Sequence, residues 1–474
     1  MEEILQNKKL KYHFIGMCGK AMGTLAVMLQ SMGHIVTGSD EGFYDPMLSY
    51  LRDHNINFTT GHSAGNIPHD VDFIVIGKHA KLVSETNLEA AEAFSNYKDK
   101  IKSLPEIMNT LTQGKDNIVC VGSFGKSSIT TLTSFVLEHT GVNPSYFIGA
   151  VPIDLADSGK LTNSDVFVLE GDEYPSSNWD ESAKFLHYNP TNIILSSCEH
   201  DHINVYPTLE SYLQPFIELL KIIPEDGTLV YAYNGANIDK ILDNANCIKV
   251  SYGIDSNATY YAQNINYGEI TTFDLYKNKE LVINLETILL GQHSIENIIG
   301  VSAMLLEKNL VSPSQLQNAI KVFHGVKGRL DKKISNSDIP IIESYGSSYA
   351  KAMADIEAVK LHYKGKKIID IFEPHTFGWR NRGNLAWYTD IFKGLDSVYI
   401  FNPPTHGATA DQLTIDEMVE EIKKTNPNVY PVTNKEEVYG LLKRDLNTDS
   451  LILLTTSGAL DGLPEDLPKE IGNL

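Results

Sequence analysis

The stretch that most constrains this chain runs from residue 118 to 140. It reads Ile118-Val119-Cys120-Val121, then Gly122-Ser123-Phe124-Gly125-Lys126-Ser127-Ser128, then an amphipathic segment. Four apolar residues predict a short buried strand, and Gly122 and Gly125 free the turn after it. Ile129, Leu132, Val136 and Leu137 recur at helical spacing, with Gly141 placed to end the helix in a left-handed conformation. Strand, glycine turn and helix together offer backbone N–H groups, a helix N-terminus and one lysine to a polyphosphate. The full phosphate-loop pattern wants a further glycine where Cys120 stands, so this loop is shorter. The residues read as a nucleotide site in which Lys126 reaches the β- and γ-phosphates and the Ser127 hydroxyl ligates Mg²⁺. The bland alternative is an ordinary strand-to-helix turn with a solvated lysine.

At 474 residues the chain is too long for one core, and ~150 residues per domain predicts about three domains. A formal net charge of −21 speaks against sequence-independent binding to nucleic acid or anionic membrane, which needs a basic face. Cys18, Cys120, Cys198 and Cys247 show no paired spacing, so neither a disulfide framework nor a zinc ribbon is predicted. The N-terminus carries acids where a signal peptide carries bases, and no long apolar run occurs. A cytoplasmic protein is expected.

The first domain, residues 1–112, opens with a strand at 12–15, the loop Gly16-Met17-Cys18-Gly19-Lys20-Ala21-Met22-Gly23 and a helix ended by Gly33. A second strand, 35–38, leads to Ser39-Asp40, which places an acid where a dinucleotide fold holds a ribose. Glycines spaced G-x-x-G-x-x-x-G favour a nucleotide-sugar diphosphate over a nicotinamide dinucleotide; glycines kept only for packing are the alternative. A third strand covers 73–77, and residues 105–117 lose the strand pattern and end in a polar turn, read as the first boundary.

The second domain, 113–324, begins with the phosphate loop. The strand 166–169 ends in Glu170-Gly171-Asp172-Glu173, and the strand 193–195 runs into Ser196-Ser197-Cys198-Glu199-His200-Asp201-His202. Glu170 and His202 are thus delivered to the strand ends beside the phosphate loop. Carboxylate, imidazole and the Ser127 hydroxyl suit Mg²⁺ on a transferring phosphate, with a zinc site as the alternative. Residues 248–290 read as a β-rich insertion or meander, followed by helices from 291 and over 314–323. Gly325-Val326-Lys327-Gly328-Arg329-Leu330 reads as a hinge. The pattern then restarts as a third α/β domain, 325–474, with strands at 339–342, 367–372, 397–401 and 451–454.

Taken together these segments resemble the Mur ligases, ATP-dependent amide-forming enzymes of peptidoglycan synthesis. The Gly122 to Ser128 loop is similar to that family's Gly-Thr-x-Gly-Lys-Thr, and Glu170-Gly-Asp-Glu173, Glu199-x-Asp-His202 and Gly291-x-His-x-x-x-Asn297 follow in the family's order. The resemblance covers essentially the whole chain. It is strongest to the branch that joins UDP-N-acetylmuramate to the tripeptide L-alanyl-γ-D-glutamyl-meso-diaminopimelate. Gly149-Ala-Val-Pro152, Glu173-Tyr174, Lys184-Phe-Leu-His187-Tyr188 and Phe372-Glu-Pro374 carry that likeness. The alanine-adding branch shares the loops and is less similar at Lys184 to Tyr188.

The resemblance implies an α/β fold with a Rossmann-like first domain, a central P-loop ATPase-type domain and a Rossmann-like C-terminal domain that takes the acceptor. It implies an acyl-phosphate route, with Lys126, Glu170 and His202 as catalytic residues and Ser127, Glu170 and His202 at Mg²⁺. ATP would meet Gly122, Ser123, Gly125, Lys126, Ser127, Ser128, Asn297 and Arg329. UDP-N-acetylmuramate would meet Gly16, Cys18, Gly19, Met22, Ser39, Asp40 and His79. A peptide or amino-acid acceptor would meet Glu343, Tyr345, His375 and Arg380, in a monomer or homodimer with no nucleic-acid or membrane partner. The chain departs from the family at Phe124, Ser197, Ser294 and Thr456-Ser457-Gly458-Ala459. Its largest departure is Glu343-Ser-Tyr-Gly-Ser-Ser-Tyr349, where the family has Asp-Asp-(Phe/Tyr)-(Ala/Gly)-His-His-Pro. An alanine-adding ligase and a catalytically silent UDP-sugar-binding protein stand as alternatives.

Overall fold

A computed structural model of the chain describes residues 9–44, 47–79, 81–203, 205–404 and 412–474. Three sheets organise it. The first is built from β1 (Lys11–Ile15), α1 (Lys20–Ser31), β2 (Ile35–Asp40), β3 (Asn57–Thr60), β4 (Phe73–Ile76), α2 (Leu88–Asn96), β5 (Ile101–Lys102) and α3 (Leu104–Leu111). Its order is β3-β2-β1-β4-β5, parallel at every pairing. The order reverses between β1 and β4, so the crevice at their carboxyl ends is where a ligand fits. The loop after β1 and the acid ending β2 both lie there.

Helix α3 occupies part of the stretch that the sequence pattern reads as a boundary. Ser103 and Glu106 form a reciprocal capping box, Pro105 sits in the first turn, and Ile107, Met108 and Leu111 are buried.

The central sheet has ten strands in the order β15-β14-β13-β12-β11-β10-β6-β9-β7-β8. They are β6 (Asp116–Val121), β7 (Ser145–Phe147), β8 (Gly159–Lys160), β9 (Val166–Glu170), β10 (Asn192–Leu195), β11 (Thr228–Ala232), β12 (Ile248–Gly253), β13 (Tyr260–Asn266), β14 (Thr271–Lys277) and β15 (Glu280–Thr287). Helices α4 (Lys126–His139), α5 (Leu209–Ile222), α6 (Gln292–Glu307) and α7 (Pro313–Lys321) connect and flank them. The β-rich stretch expected after residue 248 runs as a meander, β12 to β15 lying side by side in chain order, and it extends this sheet beyond β11. Strand β6 pairs in parallel with β9 and β10 on either side. Leu195 lies opposite Val121 and Glu170 opposite Cys120, so the three strands end side by side and bring the three loops of interest together.

Compactness divides the chain into two units. One comprises residues 1–265, 272–287 and 295–323, and carries the first and central sheets; the other comprises 266–271, 288–294 and 324–474, and carries the third. The third sheet contains β16 (Arg329–Lys332), β17 (Ile341–Ser344), β18 (Lys367–Phe372), β19 (Ser397–Phe401), β20 (Val429–Val432) and β21 (Ser450–Thr455), in the order β16-β17-β21-β18-β19-β20. Helices α8 (Tyr349–His362) and α9 (Ile415–Lys423) pack one face through Ile356, Val359, Met418 and Ile422. Helices α10 (Lys435–Asp445) and α11 (Leu463–Glu470) pack the other through Val438, Leu442, Leu463 and Leu467. The connections change face between β21 and β18, which makes the crevice between Thr456 and Glu373 this sheet's ligand edge.

Asp370 of β18 has no exposure, and among the described residues only the Thr455 hydroxyl donates to its carboxylate, at 2.8 Å, leaving Oδ2 without a partner. Burial pushes this carboxyl up to about 7 against the Thr455 hydrogen bond. In the unfolded chain it titrates near its ordinary 3.8, so the folded state holds an extra proton between those values. The associated stability is full below that window and lost as pH rises through it. Asp370→Asn keeps an acceptor for Thr455 and cannot ionise. It is expected to raise the thermal midpoint by several degrees at about pH 8 and to change it little at about pH 4.5, as read by calorimetry.

Candidate active site

Strand β6 ends at Val121 and α4 begins at Lys126, so four residues make the whole turn. Gly122 and Gly125 hold φ of +131° and +80°, which side-chain-bearing residues avoid. A Cβ at Gly122 would stand 2.2 Å from Ser196 Oγ, and one at Gly125 would stand 2.9 Å from Asn297 Oδ1. Asn297, one turn into α6, therefore rests against the loop. Gly125 caps α4 without a side-chain bond, and the first turn carries no acid. The N-terminal N–H groups and the positive end of the helix dipole are left for an anion. Ser123 turns inward: its hydroxyl donates to Glu199 O at 2.6 Å and lies 2.9 Å from the Tyr212 hydroxyl. Ser128 stands half-buried in the first turn of α4.

Lys126 Nζ donates to Gly122 O at 2.7 Å and to Glu173 Oε2 and Oε1 at 2.9 and 3.2 Å. Glu173 has no exposure. It also receives the Tyr212 hydroxyl at 3.3 Å and lies 3.2 Å from His202 Nε2, while Tyr206 donates to its backbone carbonyl. Burial pulls the Lys126 ammonium down in pKa, but the Glu173 charge outweighs it and the net shift is upward. Burial likewise pushes Glu173 up, and the His202 and Lys126 contacts reverse this to a net lowering. Both groups are held charged. Glu173 had no separate role in the sequence reading; its signal was its place as fourth member of the Glu-Gly-Asp-Glu quartet.

Ser127 and Glu170 form a second pair. The Ser127 hydroxyl donates to Glu170 Oε1 at 2.7 Å, and Gly149 N–H donates to Oε2 at 2.7 Å. His202, with φ +56°, turns its imidazole to Glu173 and packs edge-on to Tyr174 at 4.5 Å between ring centres. Among the described residues no group of three or more His, Cys, Asp or Glu is arranged to hold a metal. Mg²⁺ needs no such cage, since one or two protein oxygens and substrate phosphates hold it, and the Ser127–Glu170 oxygen pair at a helix N-terminus fits that chemistry.

In the first domain, Gly16 and Met17 N–H both donate to Ser39 O, at 2.9 and 3.0 Å, and Cys18 N–H donates to Asp40 Oδ2 at 2.7 Å. Gly19 then caps α1 with no side-chain bond, so the helix N-terminus is open, while Met22 is buried on its inner face. His79 O receives the Asn178 side chain at 3.0 Å, and Lys78 Nζ reaches Ser177 O at 2.9 Å. The loop beyond Glu173 thereby joins the first sheet's ligand edge.

In the other compact unit, Arg329 heads β16 opposite Ser344. Glu343 pairs with Lys333, which also holds Asp331 at 2.8 Å. Tyr345 is 47% exposed. His375 Nδ1 lies 3.6 Å from Glu373 Oε1, and Arg380 Nη1 donates to Pro404 O and Gln412 Oε1 at 3.0 and 3.2 Å. The loops carrying these residues are stitched together, since Thr376 donates to Ser347 O at 2.9 Å and Trp379 to Gly346 O at 2.7 Å. Glu373 was missed from sequence; it accepts from Leu460 N at 3.1 Å and from the Thr456 hydroxyl.

Comparison with known proteins adds independent findings. Residues 11–112 match the Mur ligase family catalytic domain and residues 121–305 the Mur ligase middle domain. The chain is 28% identical over 457 residues to the UDP-N-acetylmuramate–L-alanine ligase of Clostridium acetobutylicum, covering 94% of this chain and 95% of that one. It is 26% identical over 370 residues to the UDP-N-acetylmuramate–L-alanyl-gamma-D-glutamyl-meso-2,6-diaminoheptandioate ligase of Escherichia coli, covering 77% and 79%. The crystal structure of UDP-N-acetylmuramate-alanine ligase from Thermotoga maritima shares the fold, with a TM-score of 0.77 at 20% identity over 95% of this chain and 96% of that one.

Removing one member of a buried ion pair strands the other. Glu173→Gln is expected to cost about 3 kcal/mol of unfolding free energy, and Lys126→Met a similar amount. The double variant is expected to lose at least about 1.5 kcal/mol less than their sum, as measured by a denaturant-unfolding cycle.

Proposed function

The chain belongs to the Mur ligase family, and from that membership we propose that it couples ATP cleavage to amide formation on the lactyl carboxylate of UDP-N-acetylmuramate. At the coarser level it is an ATP-dependent, ADP-forming amide ligase of peptidoglycan synthesis that works with Mg²⁺. The observation that carries the reading is the convergence at one sheet edge of an open helix N-terminus, a partly buried charged lysine and a hydroxyl–carboxylate pair.

In the proposed reaction the lactyl carboxylate attacks the γ-phosphorus of ATP, giving an acyl phosphate and ADP. The acceptor amine then attacks the acyl carbon, phosphate leaves, and the nitrogen sheds a proton. Such chemistry depends on placement and charge neutralisation more than on a protein nucleophile. Glu173 keeps Lys126 aligned and protonated in the free protein, and Lys126 then exchanges its Gly122 contact for phosphate oxygens. Ser127 and Glu170 would hold Mg²⁺, which supplies further charge neutralisation. His202 stands beside the same glutamate, at the acyl phosphate or a second ion. Gly122, Ser123, Gly125, Ser128, Asn297 and Arg329 are the further residues proposed for ATP. The nucleotide sugar meets Gly16, Cys18, Gly19, Met22, Asp40 and His79, with Ser39 behind them. The domain limits 1–112, 113–324 and 325–474 and a cytoplasmic location belong to the same proposal; among the described residues no helix is long and apolar enough to cross a membrane.

L-alanine is the acceptor we propose, since the alanine-adding relative spans nearly the whole chain. The tripeptide is the second reading, supported by the Escherichia coli relative and by Lys184 to Tyr188. Either acceptor would meet Glu343, Tyr345, His375 and Arg380. A silent nucleotide-sugar-binding protein is disfavoured by the charged Lys126–Glu173 pair and the Ser127–Glu170 contact.

Phosphate release from ATP with UDP-N-acetylmuramate is expected to require L-alanine and to yield a UDP-linked product one residue larger. Release only with the tripeptide would select the second reading, and release with neither would reject both. Lys126→Ala is expected to lower turnover by at least about 10³-fold.

A further inference from the structure

Behind the nucleotide-sugar loop lies a buried carboxylate to which the family motifs quoted above assign nothing. Glu89, at the start of α2, has no exposure, nor has Ser39, and His13 is almost as buried. Glu89 Oε1 lies 2.6 Å from His13 Nε2. Its Oε2 accepts from the Ser39 hydroxyl at 2.9 Å, Ser63 N–H at 3.0 Å and the Asn66 side chain at 2.9 Å. His62 Nδ1 lies 3.0 Å from the Ser39 hydroxyl and 3.5 Å from the same oxygen of Glu89. Burial alone would push this carboxyl up, yet the His13 and Asn66 hydrogen bonds turn the net shift downward. It is a buried anion met by donors from β1, β2 and the 62–66 turn.

We infer that Glu89 is a positioning residue for nucleotide-sugar binding, acting through Ser39 and Asp40. The inference rests on the reading that the first domain takes UDP-N-acetylmuramate. Three consecutive N–H groups of the loop, those of Gly16, Met17 and Cys18, are held by Ser39 O and Asp40 Oδ2. Ser39 is fixed by its hydroxyl on Glu89. Asp40 is fixed by a second route: its carbonyl accepts Gly61 N–H at 2.8 Å, and Asn66 bridges Gly61 O and Glu89, both at 2.9 Å. Both routes end on one carboxylate, so its placement sets the loop and the open N-terminus of α1 after it. The Ser39 hydroxyl is a link in this chain, not a group offered to the ligand.

An apolar filler would occupy the same space without the desolvation cost of a buried anion. A carboxylate instead gives fixed directions to four donors at once, which a loop that must meet a diphosphate requires.

The test is calorimetric binding of UDP-N-acetylmuramate, with ATP as the control ligand, to the full chain and to Glu89→Gln, Ser39→Ala and their double variant. Failure of the unaltered chain to bind the nucleotide sugar would remove the functional reading, and this inference with it. Given binding, each single variant is expected to weaken it about tenfold, as for one buried bond to a charged acceptor, with ATP affinity unchanged. The double variant is expected to bind no more weakly than the worse single one, because both cut one chain. Additive losses, or a loss in Ser39→Ala without one in Glu89→Gln, would make Ser39 a direct ligand contact and overturn the inference. Equal losses for both ligands would overturn it in favour of a purely structural glutamate. Should Glu89→Gln not fold, Asn66→Ala decides: about tenfold weaker nucleotide-sugar binding supports the relay, and unchanged binding refutes it.

Discussion

A carboxylate removed from water has to be surrounded by donors or lose its charge, and Glu173 shows how much structure follows from that requirement. Its oxygens collect the Lys126 ammonium, the Tyr212 hydroxyl and the His202 imidazole, and its own carbonyl takes Tyr206. These partners come from the phosphate loop, α5 and the segment after β10, so one side chain ties three elements to the carboxyl edge of the central sheet. The same loop continues to Ser177 and Asn178, which bond to Lys78 and to the carbonyls of His79 and Leu82. The segment that keeps Lys126 charged therefore also anchors the first domain's ligand edge. Under the proposed function, placement of the sugar carboxylate and of the ATP phosphate would depend on this common strut.

Both domains of this unit set a fully buried glutamate behind a glycine loop, but they balance it differently. Glu173 faces the lysine of the glycine loop, so under the proposed function its ion pair is one that phosphate binding would rearrange. Glu89 faces a serine hydroxyl, an amide, a backbone N–H and His13, so its contacts hold shape and need not change when ligand arrives. The first arrangement tunes charge. The second fixes geometry.

How far these features were legible in sequence follows from how local each signal is. The apolar runs of β1, β6, β9, β10 and β18 announce themselves, and loops after parallel strands must share an edge, so Lys126, Ser127, Glu170 and His202 could be grouped before any coordinates. Helix α3 is encoded locally too, through the capping box of Ser103-Leu-Pro-Glu106, although its few residues sit in a stretch without strand pattern. The ten-stranded width of the central sheet was not legible, because β12 to β15 pair locally in chain order, but whether that run joins β11 or forms a separate sheet is a tertiary choice that alternating strands leave open. Glu89 and Glu173 escaped for the same reason: a glutamate in sequence looks solvated, and only tertiary burial reveals that His13 or Lys126 has been brought to it. Asp40 was assigned to a ribose on position alone, whereas its Oδ2 accepts Cys18 N–H; the remaining oxygen is what it can offer a ligand.

The third domain separates fold from specificity. Its sheet, two apolar faces and change of face between β21 and β18 follow the same rules as the first, and nothing in the departures at Glu343 to Tyr349 disturbs them. Those departures run from the last two residues of β17 to the first of α8, where Glu343 is occupied by Lys333 and where Thr376 and Trp379 clasp the backbone carbonyls of Ser347 and Gly346. Backbone carbonyls accept these bonds whatever side chain stands at the position, so the loop keeps its path while its side chains are free to vary. The groups left projecting there are half-exposed Tyr345 and His375, beside the anchored Glu373. An edge built this way can change the side chains it presents without changing the path of its backbone, which under the proposed function would let the scaffold change its amine without changing how it makes the bond.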